Sequence, residues 1–375
     1  MSTKKVLLIG GGTGGHIYPL RNLVDELLKR NAQVELVVAD QKLDREIIKE
    51  NFSDLPVRYF KTGKIRRYLS FQNFLDFFLI IKSFFTAKSL LKEINPDVIF
   101  FKGGFVGFPF LVAAKFLMKY KGQIFSHESD ISPGFMTKLA TKYSDQTFQS
   151  FGSNPTPLFY SPKIENQKSK IVFDLERLSR KEDWRLKIED CHSPLPKEKS
   201  PEGSNRIKKL LFFGGSQGAK FINDLFLKCH DKILQNYQVT LVTGHDKKVI
   251  LNHPNFEQFE ILPTNKLSQK IQNSDIIIAR AGANSLFEII TAKKLSIIIP
   301  LPSVARNHQL KNALFFKEKN LCEVLEQKDT TPDKLIAMIS ATINNENIKK
   351  ALKASNIRNS AVEIAEKILS SRDKN

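Results

Sequence analysis

A basic pair, a four-residue apolar run and a glycine cluster occur in that order twice in this chain. They read Lys4-Lys5-Val6-Leu7-Leu8-Ile9-Gly10-Gly11-Gly12 and Lys208-Lys209-Leu210-Leu211-Phe212-Phe213-Gly214-Gly215-Ser216. A short apolar strand that ends in glycines and opens a helix-length segment is the entry of a βαβ unit, whose parallel sheet needs helices on both faces. The first copy is followed by a helix from about His16 to Arg30 and by strand candidates at Val34–Ala39, Asp97–Phe101, Gln123–Ser126 and Gln146–Phe148. The second is followed by Val239–Thr243, Glu260–Leu262, Ile276–Ala279 and Ser296–Pro300, then by helical segments at about 333–344 and 347–370. The spacing predicts an α/β protein of two Rossmann-like domains facing across a cleft, and open sheets of this kind bind ligands at the carboxyl ends of their strands.

At 375 residues the chain has the length of two such domains. The reading places the first at 1–150 and the second at 206–345. Between them, 151–205 is proline-punctuated and charge-rich, a linker with an insertion. The tail 346–375 reads as a C-terminal helix and is a candidate to pack back on the first domain. The three cysteines, Cys191, Cys229 and Cys322, have no metal-ligand or redox spacing, which fits a reducing compartment. Only Val6–Ile9 is apolar near the start and no run approaches the ~20 apolar residues of a membrane span, so the expectation is a protein kept in the cytosol. The net charge, 58 − 39 = +19, calls for anionic partners. Its basic residues form short doublets with no block of five and no nucleic-acid motif, so nucleic acid is not expected.

Gly10, Gly12 and Gly15 satisfy G-x-G-x-x-G, the pattern that lets backbone amides approach a pyrophosphate at a helix N-terminus. Alone it is compatible with a dinucleotide site, with Asp40 as the ribose acceptor; a P-loop is excluded because no Gly-Lys-Ser/Thr follows. Two further loops, Gly103-Gly104-Phe105-Val106-Gly107 and Gly214-Gly215-Ser216-Gln217-Gly218, also follow strands. Three such junctions around one cleft suit ligands that carry more than one phosphate group.

In order along the chain stand Gly11-Gly12-Thr13-Gly14-Gly15-His16, His127-Glu128, Gly214-Gly215-Ser216-Gln217-Gly218-Ala219, Arg280-Ala281-Gly282-Ala283, Glu288 and His308-Gln309 with Asn312-Ala313. This series resembles the MurG family of peptidoglycan glycosyltransferases over nearly the whole chain apart from 151–205. The resemblance implies the inverting GT-B architecture and transfer of N-acetylglucosamine (GlcNAc) from UDP to undecaprenyl-pyrophosphoryl-MurNAc-pentapeptide. It implies no required cofactor, and no Asp-x-Asp stands at the mouth of the second-half sheet to bind a metal. It also implies a peripheral protein on the cytoplasmic face of the bacterial inner membrane, with other cell-wall synthesis proteins as candidate partners.

On the donor side the resemblance implies contacts from Thr13, Gly14, Gly15, Ser216, Gln217, Arg280, Ala283, Asn284 and Ser285, with Glu288 on the ribose hydroxyls and His308 and Gln309 on the sugar. Uracil is expected near Thr264, although Pro263-Thr264 replaces the family's usual apolar aromatic pair. Gly12, Gly103, Gly104, His127, Glu128 and Asp130 are the expected acceptor contacts. His16, at a helix N-terminus where the dipole disfavours an imidazolium, is the candidate base for the MurNAc C4 hydroxyl. The chain reads His127-Glu128-Ser129-Asp130 where the family usually reads His-Glu-x-Asn, which makes Asp130 a second candidate base.

Lys64, Arg66 and Arg67 precede a run of aromatics that includes Phe77, Phe78, Phe84 and Phe85. That density exceeds a single core-facing stripe, so part of it is expected to meet an anionic membrane surface. The other activities left open are a GT-B transferase with a different lipid or natural-product acceptor and a dinucleotide-dependent oxidoreductase.

Overall fold

The structure, a computed structural model, describes residues 3–63, 71–152, 154–161, 206–215, 218–302 and 307–371. The first sheet contains β1 Lys5–Ile9, β2 Gln33–Ala39, β3 Val57–Phe60, β4 Val98–Phe101, β5 Gln123–Glu128 and β6 Gln146–Gln149. The second contains β7 Lys208–Phe213, β8 Tyr237–Val242, β9 Phe256–Phe259, β10 Ile276–Ala279, β11 Leu295–Ile298 and β12 Glu323–Val324. Their strand orders are β3-β2-β1-β4-β5-β6 and β12-β11-β10-β7-β8-β9, with every pairing parallel. Counted from its own first strand, each sheet runs 3-2-1-4-5-6, the doubly wound order that reverses direction between its first and fourth strands. The reversals fall at β1/β4 and β7/β10, so the loops after these four strands carry the glycine and Arg-Ala-Gly motifs.

The central strands are buried on both faces, which is why they read as unbroken apolar runs. Leu8, Phe100 and Phe125 pack on one side of the first sheet, and Leu7, Ile99 and Ile124 on the other. The expected helix from His16 is split into Gly14–Ile17 and Leu20–Leu28, because Pro19 has no N–H to continue the ladder.

The tail is not one helix. Glu346–Ala354 stays with the second domain through Ile348 and Leu352, and only Ala361–Ser370 crosses back, setting Ile364, Ala365 and Ile368 against Leu20, Leu23 and Leu27. Between them Ser360 N–H donates to the Pro157 carbonyl at 2.8 Å, tying the returning chain to the outgoing one. That outgoing segment is itself packed: Phe151 and Phe159 join the second core, where Phe159 stacks on Phe287 at 5.7 Å, while Leu158 joins the first. The remainder of the predicted insertion, 162–205, lies outside the described residues.

Candidate active site

In the first domain the loops after β1 and β4 lean on each other. A Cβ at Gly104 would lie 2.2 Å from the Gly11 carbonyl oxygen, and Gly104 has φ +86°, so only glycine fits there. Buried Asp44 holds the first loop in place: one carboxylate oxygen accepts from Gly12 N–H at 2.8 Å and from Ala39 N–H at 3.1 Å. The His16 ring lies against Gly103, where a Cβ would meet Nδ1 at 3.0 Å. Burial, with the Lys102 ammonium adding to it and Asp130 opposing it, pulls the His16 imidazole down to about 4. Hydrogen bonding toward the Lys102 backbone carbonyl also opposes that shift, while Nδ1 has no hydrogen-bond partner among the described residues. The ring is therefore neutral at physiological pH.

Lys102, the residue between β4 and Gly103, is 2% exposed and donates from Nζ to Ser129 Oγ. Burial lowers its ammonium to about 8, against the pull of Glu128 and Asp130. Sequence reasoning passed over it; the signal was a lysine set between an apolar strand and a glycine pair. His127 and Glu128, the expected acceptor contacts, also bond within the first domain. His127 is 1% exposed, with Nε2 bonded to the Thr156 carbonyl at 2.9 Å, and Glu128 Oε1 accepts from Asp130 N–H at 2.9 Å. Each shapes the chain after β5 through one of its polar atoms, while His127 Nδ1 and Glu128 Oε2 have no partner among the described residues.

In the second domain the loop after β7 turns back at Gly218, φ +66°, where a Cβ would lie 2.4 Å from the Thr243 carbonyl oxygen. Ser216 and Gln217 lie outside the described residues. Arg280, expected to touch the donor, bonds within its own domain through both terminal nitrogens. Nη1 donates to the carbonyls of Ile299 and Pro300 at 3.1 and 3.3 Å, and Nη2 donates to Gln327 at 2.9 Å. It fastens the loops after β10 and β11, since a buried guanidinium must satisfy its donors. Gln309 is likewise bonded, its Oε1 accepting from Leu301 N–H at 3.0 Å, while His308 opens the helix His308–Lys317.

The helix Ala283–Thr291 points its N-terminus at the first domain, where Asn284 Nδ2 donates to the Gly15 carbonyl at 2.9 Å. Ser285 is half-buried beside it. One turn on, Glu288 has no ion pair among the described residues, and burial pushes its carboxyl up to about 8. Burial raises the phenols of Tyr18 and Tyr160, and the nearby Glu288 carboxylate adds to both shifts. The cleft thus gathers His16, Gly15, Lys102 and Asp130 from one side and Asn284, Glu288 and Asn312 from the other. Among the described residues no group of three or more His, Cys, Asp or Glu could hold a metal ion.

Beside the first-domain loops runs the helix Phe71–Ile94, on which Phe78 and Phe85 are 55% and 62% exposed. Phe84 is instead half-buried and packs edge-on against Phe108 at 5.5 Å. Lys64, Arg66 and Arg67 lie outside the described residues, as does the side chain of Phe77. Among the described residues no helix is long and apolar enough to cross a membrane.

Comparison with known proteins matches residues 6–149 to the glycosyltransferase family 28 N-terminal domain and residues 209–368 to the family 28 C-terminal domain. The chain is 32% identical over 350 residues, 92% of each chain, to the UDP-N-acetylglucosamine–N-acetylmuramyl-(pentapeptide) pyrophosphoryl-undecaprenol N-acetylglucosamine transferase of Clostridium botulinum strain Hall. It is 33% identical over 367 residues, 96% of each chain, to the protein of the same description from Clostridium perfringens strain SM101. Among solved structures it is similar to the MurG of Acinetobacter baumannii, with a TM-score of 0.66 at 20% identity over 98% of this chain and 100% of that one. The kitacinnamycin glycosyltransferase gives a TM-score of 0.65 at 13% identity, covering 98% of both chains.

Proposed function

Because the chain belongs to glycosyltransferase family 28 and to its MurG branch, we propose that it transfers GlcNAc from UDP-GlcNAc to the C4 hydroxyl of undecaprenyl-pyrophosphoryl-MurNAc-pentapeptide. The observation that carries this reading is the meeting, at the reversal points of two sheets with the same strand order, of helix N-termini and glycine loops from both domains, with half-buried Glu288 beside them.

Inverting transfer needs the C4 hydroxyl to lose its proton as it attacks the anomeric carbon, while the departing UDP gains charge. A neutral imidazole at His16 is suited to take that proton. Oriented amides of the helix that starts at Ala283 are suited to the diphosphate. Glu288 can accept both ribose hydroxyls as a carboxylate. The loops at Gly12 and at Gly103–Gly104 are suited to the acceptor pyrophosphate. Asp40, the ribose acceptor that a dinucleotide would need, is paired with Arg45 at 2.8 Å, which argues against an oxidoreductase. UDP-GlcNAc should raise the melting temperature of the purified protein and NADH or NADPH should not; stabilisation by the dinucleotides alone would overturn the reading.

A lipid-linked acceptor requires work at a bilayer surface, on the cytoplasmic face of the inner membrane. The exposed Phe78 and Phe85 support that location. Changing both to serine should weaken co-sedimentation with anionic vesicles by about tenfold, and equal binding would remove this helix from the contact.

A further inference from the structure

Asn312 belongs to the second domain, in the helix His308–Lys317, and is fully buried, yet its carboxamide is taken up mainly by the first domain. Nδ2 donates to Asp130 Oδ1 at 2.8 Å and to the Ala281 carbonyl at 3.3 Å, and Oδ1 accepts from Ile131 N–H at 3.0 Å. All three bonds are made by one side chain, and two of them cross the cleft. Beneath the loop, the buried Lys102 ammonium donates to Ser129 Oγ and stands among Glu128 and Asp130. An ammonium at this depth needs acidic neighbours. An asparagine at 130 could accept the same bond from Asn312, but it would leave Lys102 with Glu128 alone. The aspartate and the lysine therefore fit as a pair.

We propose that Lys102, Asp130 and Asn312 form a clasp that sets the closed register of the two domains, and that Asp130 is a positioning residue and not the proton acceptor. Asn312 holds Asp130 through Oδ1, so the carboxylate is oriented by the second domain. In the clasp, Asp130 and Ile131 hold the second domain where Asn284 reaches Gly15 and Glu288 faces Tyr18. Opening the cleft for substrate breaks the two bonds from Asn312 to the first domain, and closing remakes them.

The kinetic arm rests on the transferase reading; a second arm does not. D130A should lower kcat/KM by about 10–100-fold, chiefly by raising KM for both substrates. D130N keeps an acceptor for Asn312 and should stay within about tenfold of the wild type. The double variant K102M/D130N should exceed D130N, because the buried charges leave together. A base at Asp130 would make D130N as inactive as D130A, and that result overturns the proposal. Independently of activity, hydrogen exchange at the Ile131 amide should accelerate at least tenfold in N312A. Should buried Asn312 not tolerate alanine, D130A should show the same acceleration from the other side. Unchanged Ile131 exchange in a folded N312A or D130A protein overturns the clasp. A wild type that transfers no GlcNAc would sink the transferase reading and leave the exchange result to decide the clasp.

Discussion

Replacing His16 with alanine is expected to lower kcat by about 10²–10⁴-fold while leaving the affinity for UDP-GlcNAc within a few-fold of the wild type. The missing side chain of Gly103 lets the imidazole lie against the loop at the acceptor end of the sheet. Burial and the Lys102 cation hold the ring at about 4, with Asp130 pulling the other way. The free base is then the resting form throughout the physiological range. Activity limited by this group should be flat above about pH 5 and fall only as the pH approaches 4. Removing the cation with Lys102→Met should move that acid limb upward, since the imidazole then keeps its proton to higher pH. A histidine that merely packs beneath the loop would behave differently: its alanine variant would lose stability and both affinities together, with no displaced limb. Steady-state kinetics from pH 4 to 9 on the wild type and both variants separate these outcomes.

Glu288→Ala should raise the donor KM by about 10²-fold, the loss of two hydrogen bonds to one carboxylate, with a smaller effect on the acceptor KM. Its carboxyl is pushed up to about 8 because burial opposes the charge, with no cation among the described residues to offset it. Below that value the free protein holds the group protonated, and a neutral carboxyl can accept fewer hydroxyl hydrogens. Donor binding that favours the carboxylate must expel a proton, so affinity should increase from pH 6 to about 8 and level off above it. Glu288→Gln should flatten this dependence and remain weak at every pH. Calorimetry in buffers of different ionisation enthalpy would detect the released proton; its absence at pH 7 would show that Glu288 does not meet the ribose as a carboxylate.

The two sheets were legible because their central strands are apolar throughout and end in glycines, a local pattern that depends on no distant partner. Their edges were less so. β3, Val57–Phe60, alternates Val, Arg, Tyr and Phe with Arg58 paired to Glu35 at 2.8 Å, and β12 is two residues long, so neither shows a buried-strand run. Phe256–Phe259, placed a few residues too late at Glu260–Leu262 by sequence reasoning, is also an edge strand.

Site residues divide along the same line. Gly104 and Gly218 announce themselves through backbone conformations that other residues resist. Arg280 reads as an anion ligand because it precedes small residues at a helix start, yet its partners Ile299, Pro300 and Gln327 come from later loops. Asn312 stood in a motif without an evident task, since Asp130 is 182 residues away in the chain and on the other domain. No periodicity encodes such a contact, and only the facing of the two domains reveals it.

The most direct test of the account supplies UDP-[14C]GlcNAc and undecaprenyl-pyrophosphoryl-MurNAc-pentapeptide in detergent or vesicles and follows label into the lipid phase. The account predicts one GlcNAc per lipid, joined at the MurNAc C4 oxygen with inverted anomeric configuration, and one UDP released for each. Release of UDP with no label in the lipid, or no turnover by a folded protein that binds UDP-GlcNAc, would contradict it.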